Sequence, residues 1–290
     1  MSRFRSILLA LDGSPQGAQG AGCALWLGEA LGAMLHVVHA TAHPLAAEDA
    51  LARLRVAHAQ RPRVIVHQHP GDGEAAVLEE IDARHVDLVV MSARGESAAN
   101  VALAEPLGTV AQAVIKRSPV PVLLLPARYR EALPWTSMLA AASGEAAADR
   151  ALASAAQLAA ALRLKVNVVH AGDGPVRTAA LGAYADAPHH EYPHRLQRLT
   201  ERGLARCTVE EAHCVDEVLL RGGDPASVLL AEAARHGSSL VALGWHGALG
   251  GGRALVLKRL LEEAECALLV VHAPERSGAQ LKVGSEIDED

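Results

Sequence analysis

The sequence predicts an α/β fold built as two tandem doubly wound domains, and three observations carry that reading. The first is an internal repeat: residues 5–40 align without a gap on residues 136–171, with 12 identities and a shared closing run Val-Val-His-Ala. A second block, 71–95, aligns on 223–247 with seven identities in 25 positions, among them Gly71-Asp72 on Gly223-Asp224. Two ungapped blocks in the same order mean a duplication, so each copy can be asked which chemistry it kept. The second observation is the alternation, in each copy, of short β-rich runs with Ala- and Leu-rich helical segments. The third is that the runs are continuously apolar, as strands buried on both faces of a parallel sheet must be.

Taken in chain order, residues 6–11 form the first strand, and Asp12-Gly13-Ser14-Pro15 breaks it and starts a helix. Ser14 is the expected N-cap and Pro15 the first helical residue, where a missing N–H costs nothing. Residues 35–40 read as the second strand, 47–60 as a helix, 63–69 as the third strand and 74–85 as a helix. Residues 87–91 and 120–125 complete five strands, with a helix over 109–117 between them. Lys116-Arg117 falls in the last turn of that helix, where cations offset its dipole. Copy two repeats the plan with strands near 137–142, 165–170, 215–221, 239–243 and 267–271. The offset between the copies grows from 131 to 152, so copy two carries 21 extra residues before its Gly-Asp pair. The expected organisation is a first domain over 1–127, a linker over 128–135, a second domain over 136–273 with an enlarged insertion at 172–214, and a disordered acidic tail over 274–290.

Composition restricts the function classes. Half of the residues are apolar and only 2% aromatic, so Ala, Val and Leu must fill the cores. A formal charge of −6 leaves no basic footprint for nucleic acid. No run approaches the ~18 apolar residues of a membrane helix, and the start of the chain does not resemble a signal peptide. Cys23, Cys207, Cys214 and Cys266 show no zinc spacing and no Cys-x-x-Cys, which fits a reducing compartment. A cytoplasmic protein is expected.

In an open α/β sheet, ligands bind beyond the carboxyl ends of the strands, where strand order reverses. Asp12 follows the first strand of copy one, Ser92-Ala93-Arg94-Gly95 follows the fourth, and Gly108-Thr109 opens the last helix. Glycines let backbone amides approach phosphate oxygens, and a helix start adds a favourable dipole. Thr109 could offer a hydroxyl to a phosphate, and Asp12 could hold a metal or a ribose hydroxyl. The same residues also suit ordinary turns and caps.

The blocks ILLALDGS, HPGDGEAAVLEEIDARHVDLVVMSARG and LGTVAQAVIKRSPVPVLLLPA together resemble a universal stress protein domain. Copy two resembles the same family through GGDPASVLLAEAARHGSSLVALGWHG and AECALLVVHAP. The resemblance implies a five-stranded parallel sheet flanked by helices in each domain, an intracellular stress or signalling role without established catalysis, and frequent dimerisation. It also implies, in ATP-binding members, an aspartate after the first strand and a Gly-x2-Gly-x9-Gly-[Ser/Thr] phosphate motif. Asp12, Gly95, Gly108 and Thr109 match those positions, but Ser92 replaces the first glycine and twelve residues rather than nine separate Gly95 from Gly108. In copy two, Gly244 and Gly247 satisfy Gly-x2-Gly, while Ser143 replaces the aspartate and Ala254-Leu255 replaces Gly-Thr. Gly250-Gly251-Gly252 would be an alternative seat there. Copy one is therefore the expected site of at most one ATP, with Mg2+, on Asp12, Ser92, Gly95, Gly108 and Thr109. Gly244 and Gly247 are the weaker candidates of copy two.

Other residues invite interpretation. His190 and His194, beside His189 and Glu191, would share a helix face and could grip a metal, but Pro188 and Pro193 argue for a solvated, non-helical insertion. His67-x-His69 lies on one strand face without a matching histidine pair in copy two. His39 and His170 are equivalent, which points to a shared structural contact. Trp245 suits stacking on a base or packing. No catalytic nucleophile motif is present. The expected function is a regulatory or stress-survival protein with a nucleotide as effector. The resemblance implies that its two copies pair within the chain about a pseudo-twofold axis, with the fifth strands near it. A homodimer and a regulatory partner remain open. Rival readings are a degenerate interaction module, a slow ATPase and a carrier of an apolar ligand.

Overall fold

The computed structural model describes residues 3–56, 63–95, 106–130, 132–172, 191–246 and 254–273. Copy one runs β1 (Ser6–Ala10), α1 (Pro15–Leu31), β2 (Met34–Ala40), α2 (Ala47–Arg53), β3 (Val64–His69), α3 (Gly73–Ala83), β4 (Leu88–Ser92), α4 (Thr109–Arg117) and β5 (Val122–Leu125). Copy two runs β6 (Ser137–Ala141), α5 (Ala146–Leu162), β7 (Lys165–Gly172), α6 (Glu191–Leu204), α7 (Val209–Ala212), β8 (Val215–Gly222), α8 (Pro225–Arg235), β9 (Leu240–Trp245), α9 (Leu255–Glu263) and β10 (Ala267–His272).

The strands form one ten-stranded sheet in the order β3-β2-β1-β4-β5-β10-β9-β6-β7-β8. Within each half, every pairing is parallel. The halves join where β5 meets β10 antiparallel, with Leu124 opposite Leu268, Leu123 opposite Leu269 and Val122 opposite Val270. Each half thus has its topological switch between its first and fourth strands, β1 and β4 in copy one, β6 and β9 in copy two. Apolar clusters cover both faces of the sheet, and Leu8, Leu9, Leu123 and Leu124 are fully buried. Each such side chain contributes about 1.5–3 kcal/mol.

Local signals act as their chemistry dictates. Ser14 caps α1 by accepting from the Gly17 amide, with Pro15 at the helix start. Gly71 and Gly223 take φ of 100° and 124°, a left-handed turn that favours glycine. Asp72 and Asp224 then cap α3 and α8 on the amides of Ala75 and Ser227. The repeated Gly-Asp pair is therefore a helix-start device. Alanine fills the core of copy two, where α5 buries seven alanines between Ala147 and Ala159.

Two expectations need correction. The stretch expected to be non-helical is helical over Glu191–Leu204, Pro193 included. The helix read over 47–60 ends at Arg53, and residues 57–62 lie outside the described residues. The segment 128–135 does more than connect. Tyr129 and Trp135 are buried, Trp135 packs on Trp26 of α1 at 5.1 Å, and Arg130 pairs with Glu265. His190, the Gly247 and Gly250–Gly252 candidates, residues 96–105 of the lengthened loop and the 274–290 tail lie outside the described residues.

Candidate functional site

The switch point between β1 and β4 opens into a cavity of about 260 Å³. Asp12, Ser92, Gly95, Gly108 and Thr109 all line it, so the structure brings together the five residues singled out in copy one. Its floor and walls add Ala93, Gly73, Ala76 and Val77, and Gly17 of α1.

Asp12 organises the mouth. Its Oδ1 accepts from the Ser14 amide at 3.0 Å and the Ser14 hydroxyl at 2.6 Å. Its Oδ2 lies so close to Gly95 that a methyl group built there would stand 2.2 Å from it. With the carboxylate in this position, a side chain at residue 95 would displace it. Gly108 is committed in another way: its amide donates to the Ala93 carbonyl at 2.8 Å, closing the base of the lengthened loop. The amide expected to face a phosphate therefore serves the chain itself. Thr109 then begins α4 without a side-chain cap, so the hydroxyl and the first-turn amides there are the groups suited to an anion.

Ser92 is a spacer. Its hydroxyl donates to the Gly17 carbonyl at 3.5 Å, and its side chain stands between β4 and the first turn of α1. The equivalent Gly244 in copy two has no such spacer. A methyl group there would fall 2.1 Å from the Ala147 carbonyl carbon and 2.2 Å from the Ala148 nitrogen. Gly244 is consumed by close packing of α5 on β9, which leaves its backbone no room for a phosphate.

Other described residues after the strands of copy two also differ from those of copy one. Trp245 stands where copy one has Ala93, and it is 4% exposed, against His272 at a ring separation of 5.9 Å. His246, in the place of Arg94, pairs with Glu145 at the start of α5. Arg202 of α6 reaches back to the Gly144 carbonyl and to Asp149. The alignment set Trp245 opposite Ala93, so the volume difference was readable in the sequence, whereas the helix–strand distances were not.

His39 and His170 make the same contact in both halves, donating from Nδ1 to the carbonyls of Leu11 at 2.9 Å and Ala142 at 2.6 Å. They tie each second strand to the loop after the first strand. Among the described residues no group of three His, Cys, Asp or Glu is placed to hold a metal ion. Asp12 fits Mg2+ only as one ligand beside phosphate oxygens, the usual way Mg2+ binds nucleotides.

The universal stress protein family model matches residues 40–126 and 134–272. The chain belongs to the universal stress protein family. The first match begins at Ala40, so the Asp12 loop lies outside it, whereas the second spans nearly all of copy two. The fold of this universal stress protein is similar to that of one from Archaeoglobus fulgidus, at 15% identity and a TM-score of 0.61 over 93% of this chain and 99% of that one. It is also similar to a functionally unknown protein from Pseudomonas aeruginosa, at 16% identity and a TM-score of 0.62 over 93% of both chains. At such identities the likeness is one of fold. No curated protein matches the sequence with significance. Among the described residues no helix is long and apolar enough to cross a membrane.

Proposed function

We propose that this tandem universal stress protein is a regulatory protein with one adenine-nucleotide site, in copy one, and that the nucleotide acts as an effector that is not turned over. The observation that carries this reading is the cavity at the β1–β4 switch point, lined by Asp12, Gly95 and Thr109, where copy two has Trp245 and a close-packed Gly244. At about 260 Å³ the cavity lies just below the roughly 300–1,000 Å³ usual for ligand pockets. It suits the nucleoside, with the phosphates at the mouth beside Gly95 and Thr109. Asp12 would hold a ribose hydroxyl, or Mg2+ shared with the phosphates when ATP is the ligand.

A second reading is favoured by the Gly108 amide, which the Ala93 carbonyl already occupies. In that reading the protein is an interaction module without a nucleotide. A thermal-shift titration with Mg-ATP, and separately with AMP, tells them apart. A ligand at 100 times its Kd adds about 2.7 kcal/mol of stability. The effector reading expects a shift that Asp12→Ala and Thr109→Ala remove and Ser143→Ala in copy two leaves intact. No shift at millimolar nucleotide selects the module, and a shift lost only with the copy-two substitution overturns the assignment to copy one.

A further inference from the structure

Around the buried Glu80, the underside of α3 carries a network of titratable groups that copy two has replaced. Glu80 is 3% exposed and accepts from His69 Nε2 at 2.7 Å and from Arg84 Nε at 2.9 Å. His67 Nδ1 stands 3.7 Å from the same carboxylate, and Glu79 faces His69 Nδ1 at 3.7 Å. His67 Nε2 in turn meets His36 Nδ1 at 2.9 Å, with the two rings stacked at 5.1 Å. The groups facing Glu80 thus come from β2 (His36), β3 (His67, His69) and α3 itself (Glu79, Arg84).

The His36–His67 contact works only if one ring nitrogen donates and the other accepts. The pair can therefore carry one proton beyond neutrality, accommodated beside Glu80, but not two. A second proton sets N–H against N–H and cation against cation in a largely dry interface. At the matching positions copy two has Asn167 and Leu219 for the two histidines and Arg221 for His69. Its buried Glu232 accepts from Arg221 Nε at 2.7 Å, with His236 Nε2 at 3.3 Å but not hydrogen-bonded. A guanidinium does not titrate.

We propose that His36, His67, His69 and Glu80 form an acid-sensitive latch that holds α3 on β2 and β3 and releases it when the histidine pair takes up its second proton. Copy two's α8 has no such release. Gly73, Ala76 and Val77 of α3 form a wall of the cavity, so release reshapes it whether or not a nucleotide is its ligand. Burial, with His67 and Arg84, lowers the His36 pKa against the pull of Glu80, and burial lowers that of His67. A depressed folded value means the stabilisation is complete above the usual histidine value of 6.5 and is lost as pH falls through the folded values. Burial would raise Glu80, but hydrogen bonds from Arg84 and His69 and the charge of His67 hold it below the usual range. Glu80 therefore stays ionised while the histidines charge.

Amide hydrogen exchange of the full chain at about pH 7.5 and about pH 5.5, with labelling times scaled to the intrinsic rates, reads the latch directly. Peptides covering α3 should lose protection by up to about tenfold per pH unit for each proton taken up, while those covering α8 keep theirs. His36→Asn combined with His67→Leu, the residues of copy two, should remove the acid sensitivity of α3. If α3 keeps its protection, if α3 and α8 lose it together, or if the double variant retains the acid slope, the latch is wrong. Should the double variant not fold, the comparison of α3 with α8 in the unmodified protein decides alone.

Discussion

A single methyl group at Gly95 decides whether Asp12 can stay where it is. Alanine there would place Cβ 2.2 Å from Oδ2, so the carboxylate or the loop must move. Gly95→Ala is expected to displace the Asp12 carboxylate and abolish nucleotide stabilisation while changing stability less than Gly244→Ala, because a carboxylate can rotate aside where helix backbone cannot, measured by ligand-dependent thermal shift and by denaturant unfolding. The size of residue 93 sets the cavity itself. Ala93→Trp, which copies the second half, should remove nucleotide binding. Trp245→Ala should cost copy two about 3–5 kcal/mol, read from denaturant midpoints. That Asp12, Gly95 and Thr109 would line one cavity was legible in the sequence, because the loops at a switch point follow from the order of strands along the chain. The role of Gly108 was not, because a sequence gives an amide's position in the chain and not the carbonyl it meets.

Among the elements, α1 and α5 occupy equivalent places but stand at different distances from the strand beneath them. Ser92 holds α1 away from β4, while Gly244 admits α5 onto β9. Gly244→Ala drives a methyl into helix backbone that cannot rotate aside. It is expected to destabilise copy two by about 1–3 kcal/mol or more, whereas Ser92→Ala should change stability far less, both by urea unfolding. Strands and helices were readable from apolar runs, Gly-Asp starts and Ser14-Pro15, since these signals are local. The helix over 191–204 was not legible because Pro193 reads as a breaker in the sequence, whereas the chain is helical through it.

The two halves of the whole molecule share one sheet. Their junction is three register pairs of Val122, Leu123 and Leu124 against Val270, Leu269 and Leu268. It is reinforced by Trp135 on Trp26 and by Arg130 on Glu265. Heating is expected to unfold the chain in one calorimetric transition. Leu269→Lys, which buries a charge at the seam, should split that transition in two. The duplication was evident from two ungapped blocks in the same order, at offsets of 131 and 152, but the seam was not evident from residues alone. Val-Pro-Val-Leu-Leu-Leu and Ala-Leu-Leu-Val-Val look like any strand buried on both sides, so the pairing of fifth strands came from the resemblance.

That seam has an evolutionary reading. In a symmetric homodimer, one gene writes both surfaces, and every substitution appears twice. Joining the partners end to end lifts that constraint, because each half need only complement its neighbour. One half is then free to trade a cavity for a tryptophan while the other keeps an acid, a glycine and an uncapped helix, and the seam between them survives the divergence.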